Sequence, residues 1–327
     1  MTDERIEQVF ATGLEAQVSI ESVHGAVTVE SWDQPQVHVV AIRRGENARV
    51  ILEGEGQWVS ARTEIDRETG IFGRGNKEAI AEVEYALRVP RATRLTARAV
   101  QGPLRISGLR GAIEVSSVHG PVAVSDCEGA VRAEATNGHV ELTQVAGQVE
   151  VYTANGGIAF RGGHPQSVTA ETVNGLISVE PLASGTDVRA RTVNGELALT
   201  LAAGVAAELE ASGVMLRTHF ETPHQPTASG RGGWRGVVGD GTPSAHVAYS
   251  TVNGTLVVRG DGVAAPPATV AQAAWQPSPP PPPPPAPPPP PPPQVARPRT
   301  NMEILEAVDR GEISVEEAVK LMSGTNP

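Results

Sequence analysis

The 327-residue sequence holds a single cysteine, Cys127, so no intrachain disulfide can form. The fold therefore does not depend on an oxidising compartment. Aromatic residues make up only 3% of the chain. Any core must be small and aliphatic, which suits stacked strands better than a bundle of large side chains. No run approaches the ~18 apolar residues of a membrane-spanning helix, and the charged start Met1-Thr2-Asp3-Glu4-Arg5-Ile6-Glu7 leads into no apolar segment. No signal peptide is visible, and the chain reads as cytoplasmic. Basic residues are outnumbered and the net charge is −11. That balance argues against a nucleic-acid partner, which calls for clustered Lys and Arg, and against electrostatic attachment to an anionic membrane.

What the sequence does have is self-similarity. Ser22-Val23-His24-Gly25 recurs as Ser117-Val118-His119-Gly120, and Thr172-Val173-Asn174-Gly175 recurs at 192–195 and at 251–254. Weaker copies end at Gly102, Gly138 and Gly156, and Gly213 marks a degenerate one. The marker glycines 102, 120, 138, 156, 175, 195 and 213 are spaced by 18 to 20 residues, and each precedes alternating residues of strand type. A second glycine follows nine residues later at 111, 129 and 147. Each unit thus reads as strand, turn, strand, turn. Asn-Gly turns fit an antiparallel meander. The near-constant period favours a β-solenoid, whose coils must keep one perimeter and rise by about 4.8 Å each.

These features predict an all-β protein with a β-solenoid-like body of 18–20-residue repeats over 99–261. Residues 1–98 read as an N-terminal β cap, with strands at Val37–Ile42 and Ala81–Pro90 and a loop over 65–78. The glycine-crowded stretch 221–246 reads as a long loop. Residues 262–299 form a proline-rich linker: from 277 to 293 all are proline except Ser278 and Ala286. Such a run forms polyproline II, a spacer of roughly 50 Å at about 3.1 Å per residue.

Beyond the linker, 300–324 reads as a helical hairpin. Thr300-Asn301-Met302-Glu303 and Ser314-Val315-Glu316-Glu317 are capping boxes. Ile304, Leu305, Val308, Ile313, Val319 and Met322 give it an apolar face. Some 25 residues cannot bury enough surface to stand alone, so the hairpin is expected to self-associate or dock on a protein partner.

Three motif sets resemble a bacterial adhesin-like family of β-strand-repeat proteins, a domain of unknown function. They are Gly25-Ala26-Val27-Thr28-Val29-Glu30-Ser31-Trp32-Asp33, Leu87-Arg88-Val89-Pro90 and the Thr-x-Asn-Gly units best seen at 172–179. The resemblance covers about residues 6–260 and implies a β-solenoid. Ile304 through Leu321 resembles a small helical module that accompanies such repeats in bacterial envelope-stress proteins, where it is often N-terminal.

The chemistry-bearing residues are sparse. Asn137, Asn155, Asn174, Asn194 and Asn253 share one repeat position. Beside a glycine, Asn tolerates left-handed backbone, and stacked Asn side chains can bond one another. A sugar- or cation-binding ladder is the functional alternative. The histidines lack metal-site spacing, Cys127 has no basic neighbour to activate it, and no nucleophile elbow is present. No cofactor is implied. Arg231, Trp234 and Arg235, in the glycine-rich stretch, are the best candidates for ligand contacts, because Arg and Trp are favoured at binding sites. The reading is a non-enzymatic interaction scaffold. A surface glycan-binding adhesin and a carbohydrate-active enzyme are the alternatives.

Overall fold

The computed structural model describes residues 3–45, 47–65, 81–221, 233–239 and 242–260. Every regular element among them is a strand. In chain order these are β1 (Asp3–Ala11), β2 (Gln17–His24), β3 (Val27–Trp32), β4 (Gln36–Arg44), β5 (Ala48–Glu55), β6 (Trp58–Ile65), β7 (Glu82–Pro90), β8 (Arg94–Gln101) and β9 (Leu104–Ser107). There follow β10 (Ile113–His119), β11 (Val122–Ser125), β12 (Glu128–Asn137), β13 (Val140–Asn155), β14 (Ile158–Leu182), β15 (Asp187–Leu201), β16 (Ala206–Glu221), β17 (Gly233–Val238) and β18 (Pro243–Arg259). All eighteen belong to one continuous sheet. The chain divides into Met1–Ala265 and Pro266–Pro327. The linker and hairpin of the sequence reading lie outside the described residues, as does most of the 65–78 loop.

The repeat becomes a parallel ladder in which each strand pairs with its own copy one period away. Ile113 lies beside Leu95 on one side and Val131 on the other. Val122 lies likewise between Leu104 and Val140. This pairing rules out the antiparallel meander across the repeat. One winding of chain, called a rung below, carries a strand on one face, bends at the marker glycine and carries a second strand on the other face. β13 runs through the second turn at Gly147, and β14, β15 and β18 run through the bend at Gly175, Gly195 and Gly254, so one element serves both faces.

The alternation of the sequence sets what each face buries. Leu95, Ile113, Val131, Val149, Val168, Val188 and Val247 form one buried column, and Leu104, Val122, Val140, Ile158, Ile177, Leu197 and Leu256 a second, facing column. Stacked β-branched and Leu side chains fill these columns, and among the described residues only Tyr85, Phe160, Trp234 and Tyr249 add aromatic rings to the buried core.

Both ends depart from the period, and each differs from the sequence expectation. At the N-terminal end the repeat starts inside the segment read as a cap. Gln17 pairs with Arg94 and Val27 with Leu104, so β2 and β3 form a rung directly on β8 and β9. The cap is the inserted segment together with β1: β4 runs antiparallel to β7, β1 to β4 and β5 to β6. Ile6, Phe10, Val50 and Leu52 pack on the core there. The Phe10 ring occupies the space a Cβ at residue 54 would need, which is why Gly54 stands opposite it.

At the C-terminal end the order changes. β18 lies between β15 and β16, pairing parallel with both. Gly254 therefore follows Gly195 in the glycine column. Gly213, read from sequence as a marker, is not in that column: it lies opposite Thr251, while Leu216 stands beside Gly254. The stretch 221–246 is also not all loop. Gly233–Val238 pairs antiparallel with Ala207–Ser212, and β18 starts at Pro243.

Candidate functional site

Four rows of side chains run along the stack around the bend. The marker glycines form the first. At Gly102, with φ of 133°, an added Cβ would fall on the carbonyl oxygen of Gly25, and at Gly120, with φ of 146°, on that of Gly102. The same collision recurs up the column to Gly195. Close backbone approach requires glycine all along this column, and at Gly102 and Gly120 the positive φ requires it as well.

The second row is a hydrogen-bonded amide ladder. Asn155 donates through Nδ2 to Asn137 Oδ1 at 3.1 Å, Asn174 to Asn155 at 3.0 Å and Asn194 to Asn174 at 3.2 Å. Asn253 continues it onto Asn194, and Asn137 meets the His119 ring at 3.3 Å. The side chains bond one another and are exposed, as expected for a turn position in register.

The third row is Val100, Val118, Thr136, Ala154, Val173, Val193 and Val252, one residue before the ladder. All five valines point outward; Val173 is 45% exposed. The fourth row, buried beside it, is Ser117, Thr153, Thr172, Thr192 and Thr251. Its hydroxyls turn back on the backbone: Thr153 donates to the Gly138 carbonyl and Thr172 to that of Gly156. Thr192 donates to Thr251 at 2.9 Å.

These rows bound a groove of about 660 Å³ that crosses six rungs, from Ser116 to Val252. Its floor is the Ser/Thr row, one wall is the apolar row, and the other wall carries Ser116, Glu134, Tyr152, Glu171, Arg191 and Ser250. Arg191 pairs with Glu171 at 3.0 Å. Arg132, from the neighbouring row, pairs with Glu134 and Glu150 and sits 5.2 Å over the Tyr152 ring. The Glu134 carboxylate raises the Arg132 guanidinium further above its usual value.

The candidate ligand contacts lie elsewhere. Arg231 is outside the described residues. Trp234 is 4% exposed and turned inward against Phe220, with ring centroids 4.9 Å apart. It closes the C-terminal end of the core. Arg235 projects outward from β17 toward Glu208 and Glu210, at 3.8 and 3.6 Å. Adjacent residues of a strand face opposite ways, so the structure separates Trp234 from Arg235. The hairpin residues Ile304, Leu305, Val308, Ile313, Val319 and Met322 also lie outside the described residues.

Among the described residues no three His, Cys, Asp or Glu are grouped so as to hold a metal. The Cys127 thiol is buried, burial pushes it up, and it donates to the Ser125 carbonyl at 3.1 Å. Among the described residues no helix is long and apolar enough to cross a membrane. The groove was not singled out in the sequence. Its signal was the residue just before the ladder position in each repeat, which stays Val, Thr or Ala although the strand alternation turns it outward.

No protein-family model matches the chain, and no curated protein matches it. Among solved structures, a "putative cell adhesion protein" from Clostridium sporogenes is similar at 8% identity and a TM-score of 0.26, over 79% of this chain and 100% of that one. A "putative adhesin" from Bacteroides fragilis is similar at 9% identity and a TM-score of 0.35, over 78% and 97%. A "putative lipid binding protein" from Parabacteroides distasonis is similar at 8% and 0.32, over 79% and 97%.

Proposed function

We propose that the chain is a non-enzymatic, adhesin-like interaction scaffold. In this reading the body is a β-solenoid that presents straight rows of side chains. The proline-rich segment sets reach, and the C-terminal hairpin self-associates or recruits a protein partner. The protein acts in the cytoplasm, and the resemblance of its tail ties it to envelope-stress proteins.

The observation that carries the reading is the outward row from Val100 to Val252. A repeat held at constant register converts one sequence position into a continuous surface row. Stacked strands repeat about every 4.8 Å, so the seven rungs of this row offer a partner a face roughly 29 Å long. Exposed apolar residues in a contiguous row, beside a groove, mark an interaction site more than scattered ones do.

The hairpin is tested by light scattering on the full chain and on a chain ending at residue 299. Loss of the hairpin lowers the oligomer mass if it drives assembly. An unchanged mass, together with an unchanged set of co-purifying proteins, would remove the hairpin from the proposal.

A further inference from the structure

The charged wall of the groove reads Ser116, Glu134, Tyr152, Glu171, Arg191 and Ser250 along the stack. Laid against its own reverse, the series complements itself. Ser116 meets Ser250, Glu134 meets Arg191, and Tyr152 meets Glu171, whose carboxylate can accept from the phenol. No rung of the wall brings two carboxylates or two guanidinium groups together. The facing row is free of charge and matches itself as well: Val118, just outside the groove lining, meets Val252, Thr136 meets Val193, and the small Ala154 meets Val173.

We propose that this groove face is an isologous interface between two copies of the chain. Their stacks run antiparallel, with the two-fold axis between the rungs of Tyr152 and Glu171. The proposal goes beyond the hairpin, because it places a self-association surface on the body itself.

Two physical arguments favour a second copy as the occupant. The first is charge complementarity. Under this two-fold each Glu134–Arg191 contact forms twice, as closed symmetry demands. The second is spacing. Another stack repeats at the same ~4.8 Å and stays in step across all six rungs, whereas a helix laid along the groove repeats every ~5.4 Å and drifts by about 3 Å over five spacings. The next row outward would set Arg132 opposite Arg189. It lies outside the groove lining, and each guanidinium is held by its own carboxylates, Arg132 by Glu134 and Glu150 and Arg189 by Asp187. A face about 24 Å long belongs to the small interface class, below about 1,200 Å² in total. The dimer is therefore weak and depends on concentration.

The test is cysteine cross-linking in the full chain. Val118 and Val252 are exposed and lie five rungs apart within one chain, too far for an internal disulfide. Each faces the other across the proposed two-fold. The double variant Val118→Cys/Val252→Cys is expected to give a covalent dimer on mild oxidation. Neither single variant should, and buried Cys127 does not compete. Adding Glu134→Arg is expected to reduce the cross-linked fraction about tenfold or more, and adding Arg191→Glu with it to restore it. Equal cross-linking by a single variant, or none by the double variant up to high concentration, overturns the proposal. A scattering mass that falls on removal of 300–327, with no cross-link here, overturns this interface and leaves the scaffold reading in place.

Discussion

Asn253 donates through Nδ2 to Asn194 Oδ1 at 3.1 Å, across 59 residues of chain. This one contact carries the amide ladder past β16 and shows where the last strand lies. Between Asn194 and Asn253 the chain builds the terminal rung first and then returns beneath it.

The ladder predicts coupling. Asn194→Ala removes an acceptor for Asn253 and a donor to Asn174. The groups are exposed, so the expected loss is about 1 kcal/mol. In a double-mutant cycle with Asn253→Ala, the two losses should sum to more than the loss of the double variant, read from urea midpoints. Strict additivity would mean that the amides stack without interacting.

The glycine column predicts a sharp contrast. Gly102→Ala sets a Cβ on the Gly25 carbonyl, and neither backbone can move without disturbing the rungs around it. The expected cost is about 3 kcal/mol or more. Gly185→Ala, with φ of 82° but open space around it, should cost only about 1 kcal/mol. Thermal unfolding of the two variants separates packing from conformational strain.

Trp234 predicts a difference between two replacements. Its ring closes the core beside Phe220, and its buried Nε1 has no hydrogen-bond partner. Trp234→Ala should cost about 3–5 kcal/mol. Trp234→Phe should cost much less, because no hydrogen bond is lost and an unsatisfied donor is removed. Equal losses in denaturant titrations would show that Nε1 does have a partner.

Alkaline stability should depend on Tyr85. Its hydroxyl shares a 2.7 Å hydrogen bond with Thr63 Oγ1 inside the core. Burial pushes its pKa up to about 12 from 10.0. The folded state therefore favours the neutral phenol. That contribution is complete below about pH 10 and is lost as pH rises from 10 to 12, amounting to roughly 3 kcal/mol. Tyr85→Phe should be less stable at pH 8 but lose less between pH 9 and 11, as read from urea midpoints.

The repeat, the strands and the parallel pairing were legible because strands that pair with their own copies one period away leave a periodic mark on the chain. The glycines and asparagines announced the bend, and Val37–Ile42 and Ala81–Pro90 form strands β4 and β7 as their alternation predicts. The position of β18 was not legible. Gly254 fits equally well after Gly195 or after Gly213 by local pattern, and long-range order decides between them. Trp234 misled for a related reason. In a glycine-rich stretch an aromatic looks like a ligand contact, yet a chain so poor in aromatics uses it to seal an open end. The groove escaped notice because its walls come from residues that alternate with the buried ones, and only stacking makes them continuous.

The interposed last strand also constrains how the protein is made. From β8 as far as Leu201 a ribosome delivers rungs in order, and each can settle on the one before it. The rung that must come next, Pro243–Arg259, has not yet been synthesised when β16 emerges. Until residue 259 leaves the exit tunnel, the growing stack presents β15 as an uncovered edge, and nascent chains are most exposed to mispairing with one another during that interval.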